Sequence, residues 1–184
     1  FDNTVKKLVE KLSILYSEVL AIEKKTGILK FVNLDMEAYG DLEITVATFM
    51  ATLERPEFKK LRAGIVLQAY LPDAYAVFQK LKNWAVQRVS EGGSPIKIRL
   101  VKGANLEMEK TEASIEDWPL TTYDTKLDTD ANYKKVLLEM LNASTASAVN
   151  IGVASHNIFD LAFALRLVEK EKIKAFVDFE MLEG

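Results

Sequence analysis

Polar residues recur at one kind of place in this chain, the carboxyl end of a short apolar run. Asp35 and Glu37 follow FVNL, Gln68 and Tyr70 close GIVLQAY, and Arg99, Lys102 and Gly103 close IKIRLVKG. Ser155, His156 and Asn157 follow VNIGVA, and Glu180 closes KAFVDFE. Such a set of acids, amide, cations and imidazole can bind an anion, move a proton or hold a cofactor. Asp35 lies between Leu34 and Met36, where a buried carboxylate is costly unless it is paired. It reads either as a site acid or as a helix cap or structural ion pair. Gln68 reads either as a ligand contact or as a satisfied core amide. Arg99 alternates with Ile96, Ile98 and Leu100, and a guanidinium there must meet an anion. The anion is a phosphate, a carboxylate or an anionic cofactor ring, or else Asp35 or Glu180 as a structural partner. Gly103 lets a ligand approach the backbone beside Lys102, and Lys102 has the chemistry of a Schiff-base lysine. His156, the one histidine, sits at a strand-to-helix junction. Thr125 and Lys126 precede a helix and could present a hydroxyl and an ammonium to a phosphate, or form a solvated turn. The charges of residues 107–116 read as a solvated helix face.

Those residues need elements that aim them at one face. Apolar, β-rich runs occupy residues 31–36, 64–70, 96–102, 149–154 and 173–181. Helical spacing lies between them, at 4–25, 42–53, 74–89, 132–141 and 157–170. In the first helix Val5, Leu8, Leu12, Leu15, Val19 and Ile22 form one stripe. Leu71, Pro72 and Asp73 signal a helix start, and Asn157 and Asp128 are expected N-caps. Gly92, Gly93, Ser94 and Pro95 turn the chain. The runs read as continuous, as in strands buried on both sides. Strands separated by helices mean βαβ units and a parallel sheet. The longest insertion, 104–127, begins helix-like and becomes a loop around Trp118, Pro119 and Tyr123. Loops of that length are usually functional or mobile.

Five strands suit an open doubly wound sheet or part of a (β/α)8 barrel, which needs eight strands and roughly 250 residues. The first helix has no strand before it and the last strand no helix after it. The expectation is therefore an α/β fold, a partial TIM-type barrel of about five parallel strands, as one domain over residues 1–184. Phe1 is not an initiator methionine, and the chain is read as a piece of something longer.

Composition removes several classes of function. The 184 residues carry a net charge of −3, which offers no basic field to nucleic acid. With no cysteine and one histidine there is no disulfide, no thiolate nucleophile and no multi-histidine metal centre. A reducing cytoplasm is permitted. No apolar run reaches the ~18 residues of a membrane span. P-loop, GxGxxG, GxSxG and HExxH motifs are absent.

The motifs FVNLDMEAYGDLEIT, GIVLQAYLPDAY, IKIRLVKGAN, YDTKLDTDANYKKVL, GVASHN and FEMLEG occur in this order. Together they resemble the flavin-binding barrel of proline dehydrogenase, in the version carried by bifunctional proline utilization A proteins. The resemblance covers nearly the whole chain from Phe31 onward. It implies oxidation of L-proline to Δ1-pyrroline-5-carboxylate, with hydride passing to FAD and electrons to a membrane quinone. It implies a cytoplasmic parent that touches the membrane peripherally and carries an aldehyde dehydrogenase domain in the same chain. Asp35 then matches the strand-end aspartate near the substrate side of the flavin, and Arg99 the arginine near its N5 edge; these two are the expected catalytic residues. Gln68 matches a contact to the isoalloxazine ring, and Val101, Lys102 and Gly103 the backbone along the cofactor. Thr125 and Lys126 match the segment that holds its phosphates. His156 and Asn157 match its ribityl or adenine side, and Glu180 and Leu182 the last-strand lining. Asn105 departs from the aromatic residue some members have there. The family's lysine before the NLD strand, and the last strand and helix with paired arginines for the proline carboxylate, have no counterpart. The 184 residues by themselves are thus expected not to turn over proline. The rival readings are a Schiff-base aldolase using Lys102, with Asp35 or Glu180 as acid and base, and a non-catalytic binding barrel.

Overall fold

The computed structural model describes residues 1–182. The chain runs α1 (Asp2–Thr26), β1 (Val32–Leu34), α2 (Leu42–Leu53), β2 (Ala63–Gln68), α3 (Ala74–Ser90) and β3 (Ile96–Val101). It continues through α4 (Leu106–Glu116), α5 (Lys126–Met140), the short α6 (Ala143–Ala146), β4 (Val149–Ala154), α7 (Ile158–Glu171) and β5 (Val177–Glu180). The last two letters of the FEMLEG motif, Glu183 and Gly184, lie outside the described residues.

All five strands are parallel and lie in the order β1-β2-β3-β4-β5. A doubly wound sheet reverses its strand order at a switch point. This sheet never does, and its sequential order is that of a β/α barrel wall. The helices cover one face. Ile65, Leu67, Ile98, Leu100, Ile151 and Val153 point to them and are fully buried. Each such side chain contributes about 1.5–3 kcal/mol by leaving water. Tyr133, Val136 and Leu137 of α5, with Phe78 and Leu81 of α3, complete that core.

The opposite face is where sequence and structure part. β2 is buried throughout, as a continuous apolar run should be. β3 instead alternates, with Lys97, Arg99 and Val101 half-buried between buried neighbours. The inner face is therefore polar at its centre, and the expectation of strands buried on both sides fails for β3, for the half-buried β1 and for β5, which is exposed at Asp178 and Phe179.

Element ends moved for local reasons. The run at 173–181 pairs with β4 only from Val177, because Lys174–Phe176 forms a 3-10 turn after the left-handed Lys172. β1 stops at Leu34, so Asp35 lies beyond the strand. α5 starts six residues before the expected 132, capped by Thr125 and not by Asp128. Asp73 precedes α3 but makes no side-chain cap; its carboxylate accepts from the Tyr39 hydroxyl at 2.9 Å. Asn157 does cap α7, accepting from the N–H groups of Phe159 and Asp160. α1 ends at Gly27, whose φ of 67° closes the helix in the left-handed form. On α1 the expected stripe is only partly covered: Leu15 and Ile22 are exposed, while Tyr16 is buried edge-on against Phe58.

Candidate active site

At the carboxyl ends of the strands lies a cavity of about 580 Å³. That volume is in the range of small-molecule and cofactor sites. Asp35, Gln68, Arg99, Val101, Lys102, Gly103, His156, Glu180 and Leu182 all line it, with Glu37 and Ser155. Asn157, Thr125 and Lys126 are not among its lining residues.

Arg99 is the cationic centre of this face. Its Nε donates to Glu180 Oε2, and its Nη1 lies 3.6 Å from Asp35 Oδ1. Nη2 has no hydrogen-bond partner among the described residues, so the fork keeps donors for a ligand. Asp35 is not the buried acid its neighbours suggested. It is mostly exposed, and Asn33 Nδ2 donates to it at 3.0 Å. Glu180 reaches Arg99 by leaning across β4, where Gly152 makes room. A Cβ at 152 would collide with Glu180 Oε1.

Sequence reasoning missed Lys97, one layer deeper on the same face. Its ammonium lies 2.8 Å from Asp178 Oδ2 and 2.6 Å from Glu180 Oε1. Burial alone lowers the lysine's pKa, but the hydrogen bond to Asp178, the close ion pair with Glu180 and both charges carry it above its usual value. The signal was present in the sequence. In IKIRLV a period of two puts Lys97 and Arg99 on one face.

Gln68 forms the floor. Its amide donates to the carbonyls of Glu37 at 2.8 Å and Met36 at 3.2 Å, and accepts from the Ala104 N–H at 3.1 Å. It thereby joins the loop after β1 to the loop after β3. Both ends of the amide are committed, which leaves its face for any ring. Beside it Gly103 has φ of 147°, and a Cβ there would strike the Tyr70 ring. Tyr70 itself is buried; burial first, and the Glu109 charge second, push its hydroxyl up to about 12. Glu109 was expected on a solvated helix face. It is buried, accepting from the Tyr39 N–H at 2.7 Å and the Thr121 hydroxyl at 3.1 Å, and so fastens α4 over the site.

Lys102 points along the rim into two carboxylates, Asp130 and Asp160, each at 2.6 Å. Burial pulls its pKa down, but both hydrogen bonds and both charges raise it overall. A Schiff-base lysine must shed its proton near neutrality, and these partners hold it on. Thr125 Oγ1 accepts from the Asp128 N–H at 3.1 Å and its hydroxyl donates to the Asp128 carboxylate at 2.6 Å. Lys126, mostly exposed, pairs with Asp130 at 2.5 Å. His156 Nε2 accepts from the Leu182 N–H at 3.2 Å, tying β5 to the start of α7. Among the described residues no group of acids and histidine is arranged to hold a metal ion, and no helix is long and apolar enough to cross a membrane.

A family model described as proline dehydrogenase matches residues 5–184. No curated protein matches the chain. Among solved structures, proline utilization A from Corynebacterium freiburgense is 42% identical at a TM-score of 0.93, over 100% of this chain and 18% of that one. Proline utilization A from Bdellovibrio bacteriovorus, inactivated by N-propargylglycine, is 35% identical at 0.85, over 98% and 18%. A Bradyrhizobium japonicum proline utilization A mutant is 25% identical at 0.82, over 98% and 17%. The chain thus spans less than a fifth of the length of these relatives. On a match over nearly all its residues, the chain belongs to the proline dehydrogenase family.

Proposed function

We propose that this chain is the cofactor-facing wall of a barrel that oxidises L-proline to Δ1-pyrroline-5-carboxylate with FAD. The observation that carries this is Arg99, a strand-end guanidinium with an unbonded Nη2 inside a cavity of about 580 Å³. The cavity fits the cofactor's demands. Val66, Val101, Ala154 and Met36 give it an apolar lining for a ring system, and cations and backbone stand at its rim.

FAD, when bound, supplies hydride acceptance, a chemistry that side chains lack. Arg99 would face the ring with positive charge, where negative charge collects on reduction. Asp35 would face the substrate side, and Glu180 would hold Arg99 in position. Gln68 and the backbone of Val101, Lys102 and Gly103 would form the bed beneath the ring. His156, Asn157, Leu182 and the start of α5, with Thr125 and Lys126, would receive the ribityl, adenine and phosphate parts. Helix N-termini favour phosphate. The electron acceptor would be a membrane quinone, reached by peripheral contact of a cytoplasmic protein that also carries an aldehyde dehydrogenase domain. The doubly paired Lys102 counts against the aldolase reading.

The test is optical. Protein purified with this barrel intact should show the two visible bands of bound flavin, and L-proline should bleach them under anaerobic conditions. Arg99→Met should retain flavin but slow bleaching by at least tenfold. Colourless protein that also takes up no added FAD sinks the proposal. Borohydride trapping of a substrate on Lys102 would move it to the aldolase class. The 184 residues by themselves should not reduce an artificial acceptor with proline.

A further inference from the structure

We propose that Lys97 is a positioning residue, which sets how much of the Arg99 charge faces the cofactor through the carboxylate of Glu180 that both cations share. The inference rests on the reading that the cavity holds FAD with its ring beside Arg99.

Lys97 and Arg99 occupy successive inward positions of β3, in register with Asn150 and Gly152 of β4. Asp178 of β5 is in register with Gly152. Glycine at 152 clears the path between β3 and β5, and Glu180 fills it. One oxygen of Glu180 takes Lys97 and the other takes Arg99. Asp178 takes Lys97 as well, and Asp35 stands on the far side of Arg99. The inner face therefore holds two cations, Lys97 and Arg99, against three carboxylates, Asp35, Asp178 and Glu180. Lys97 is mostly shielded, with 17% of its side chain exposed, and lies 5.5 Å from the centre of the Phe31 ring. The Lys97–Glu180 pair, with Glu180 20% exposed, is weakly screened, whereas Asp178 and Asp35 face solvent and act more weakly.

The consequence is a competition. Every share of Glu180 taken by Lys97 is a share not neutralising Arg99. Without Lys97, Glu180 belongs to Arg99 alone, and two carboxylates, Asp35 and Glu180, stand beside one guanidinium. Positive charge beside the ring then falls, and the reduced, anionic form loses stabilisation. Without the Asp178 charge, Lys97 turns more fully to Glu180, and Arg99 is freed. The two substitutions must act in opposite directions.

The experiment measures the reduction potential of the bound flavin by dye equilibration, in the flavin-loaded protein and its variants. Lys97→Met should lower the ratio of reduced to oxidised flavin about tenfold at a fixed ambient potential, which is ~30 mV for a two-electron couple. Lys97→Gln, a second variant in case the first does not fold, should shift it the same way. Asp178→Asn should raise the ratio, and Lys97→Arg should return it close to that of the unaltered protein. A potential unmoved by Lys97→Met or Lys97→Gln overturns the proposal. So do Lys97 and Asp178 variants that shift in the same direction, which is the pattern of a merely structural role. If the unaltered protein binds no flavin, the functional reading fails and this one with it. Bound flavin with unmoved potentials removes the role of Lys97 alone.

Discussion

Gln68 illustrates how a single side chain joins two strand-end loops. It is buried, and three of its bonds go to backbone groups of Met36, Glu37 and Ala104. Gln68→Leu would keep the volume and leave those groups without partners. A buried unsatisfied group costs about 1–3 kcal/mol. Some are rewetted in an open cavity, so the expected loss is about 2–4 kcal/mol. Urea unfolding should show it as a lower midpoint at unchanged slope; a loss under ~0.5 kcal/mol, the scatter of ordinary surface changes, would mean that the loops hold without the latch. An amide inside IVLQAY was legible as exceptional. Its partners were not, because they arrive from loops that local pattern does not pair. Arg99 was the opposite case: the need for an anion was legible, and both suggested carboxylates, Asp35 and Glu180, stand beside it.

At the scale of elements, the clearest lesson lies at the start of α5. Thr125 Oγ1 accepts from the Asp128 N–H, the first half of a capping box, while its hydroxyl donates to the Asp128 carboxylate, a side-chain bond in place of the box's return bond to the cap's backbone N–H. The sequence TKLD carries that signal, yet attention to apolar periodicity put the start at 132, where Asn132 and Tyr133 begin the buried side. Removing the cap with Thr125→Ala should cost about 1 kcal/mol, while Thr125→Ser should restore it. Both are measured in the absence of any ligand. If Thr125→Ala leaves stability unchanged, the hydroxyl is free for another partner and the cap contributes little. The strands were legible because apolar runs mark them. Their ends were less so: β5 begins where β4 offers partners, a tertiary fact, and the four-residue α6 is too short for periodicity to reveal.

For the whole molecule, the sequential sheet turns one side of every strand toward helices and the other toward a shared interior. Ion pairs on that interior, along its rim and between α3 and α5 contribute to how stability depends on pH. Lys97 and Lys102 are both raised: burial opposes this, but their carboxylate partners prevail. A lysine raised on folding stabilises fully below its unfolded value, near 10.4, and loses that contribution as pH climbs through the folded value. Asp130 runs the other way. Burial would raise it, but Lys102 and Lys126 hold it below the usual carboxylate range. Glu139 is depressed too, first by its hydrogen bond to Lys82. Depressed carboxylates stabilise above their unfolded values, near 4, and lose this as pH falls through the folded ones. Stability should therefore be flat from about pH 5 to 9 and decline on both sides. Lys102→Met makes the attribution testable. It removes one raised lysine and one of the two lysines that hold Asp130 down, so both declines should shrink in urea midpoints taken across pH. The alkaline decline should shrink without vanishing, since Lys97 remains. If the variant's profile is parallel to the original at every pH, the rim pairs do not set the pH dependence.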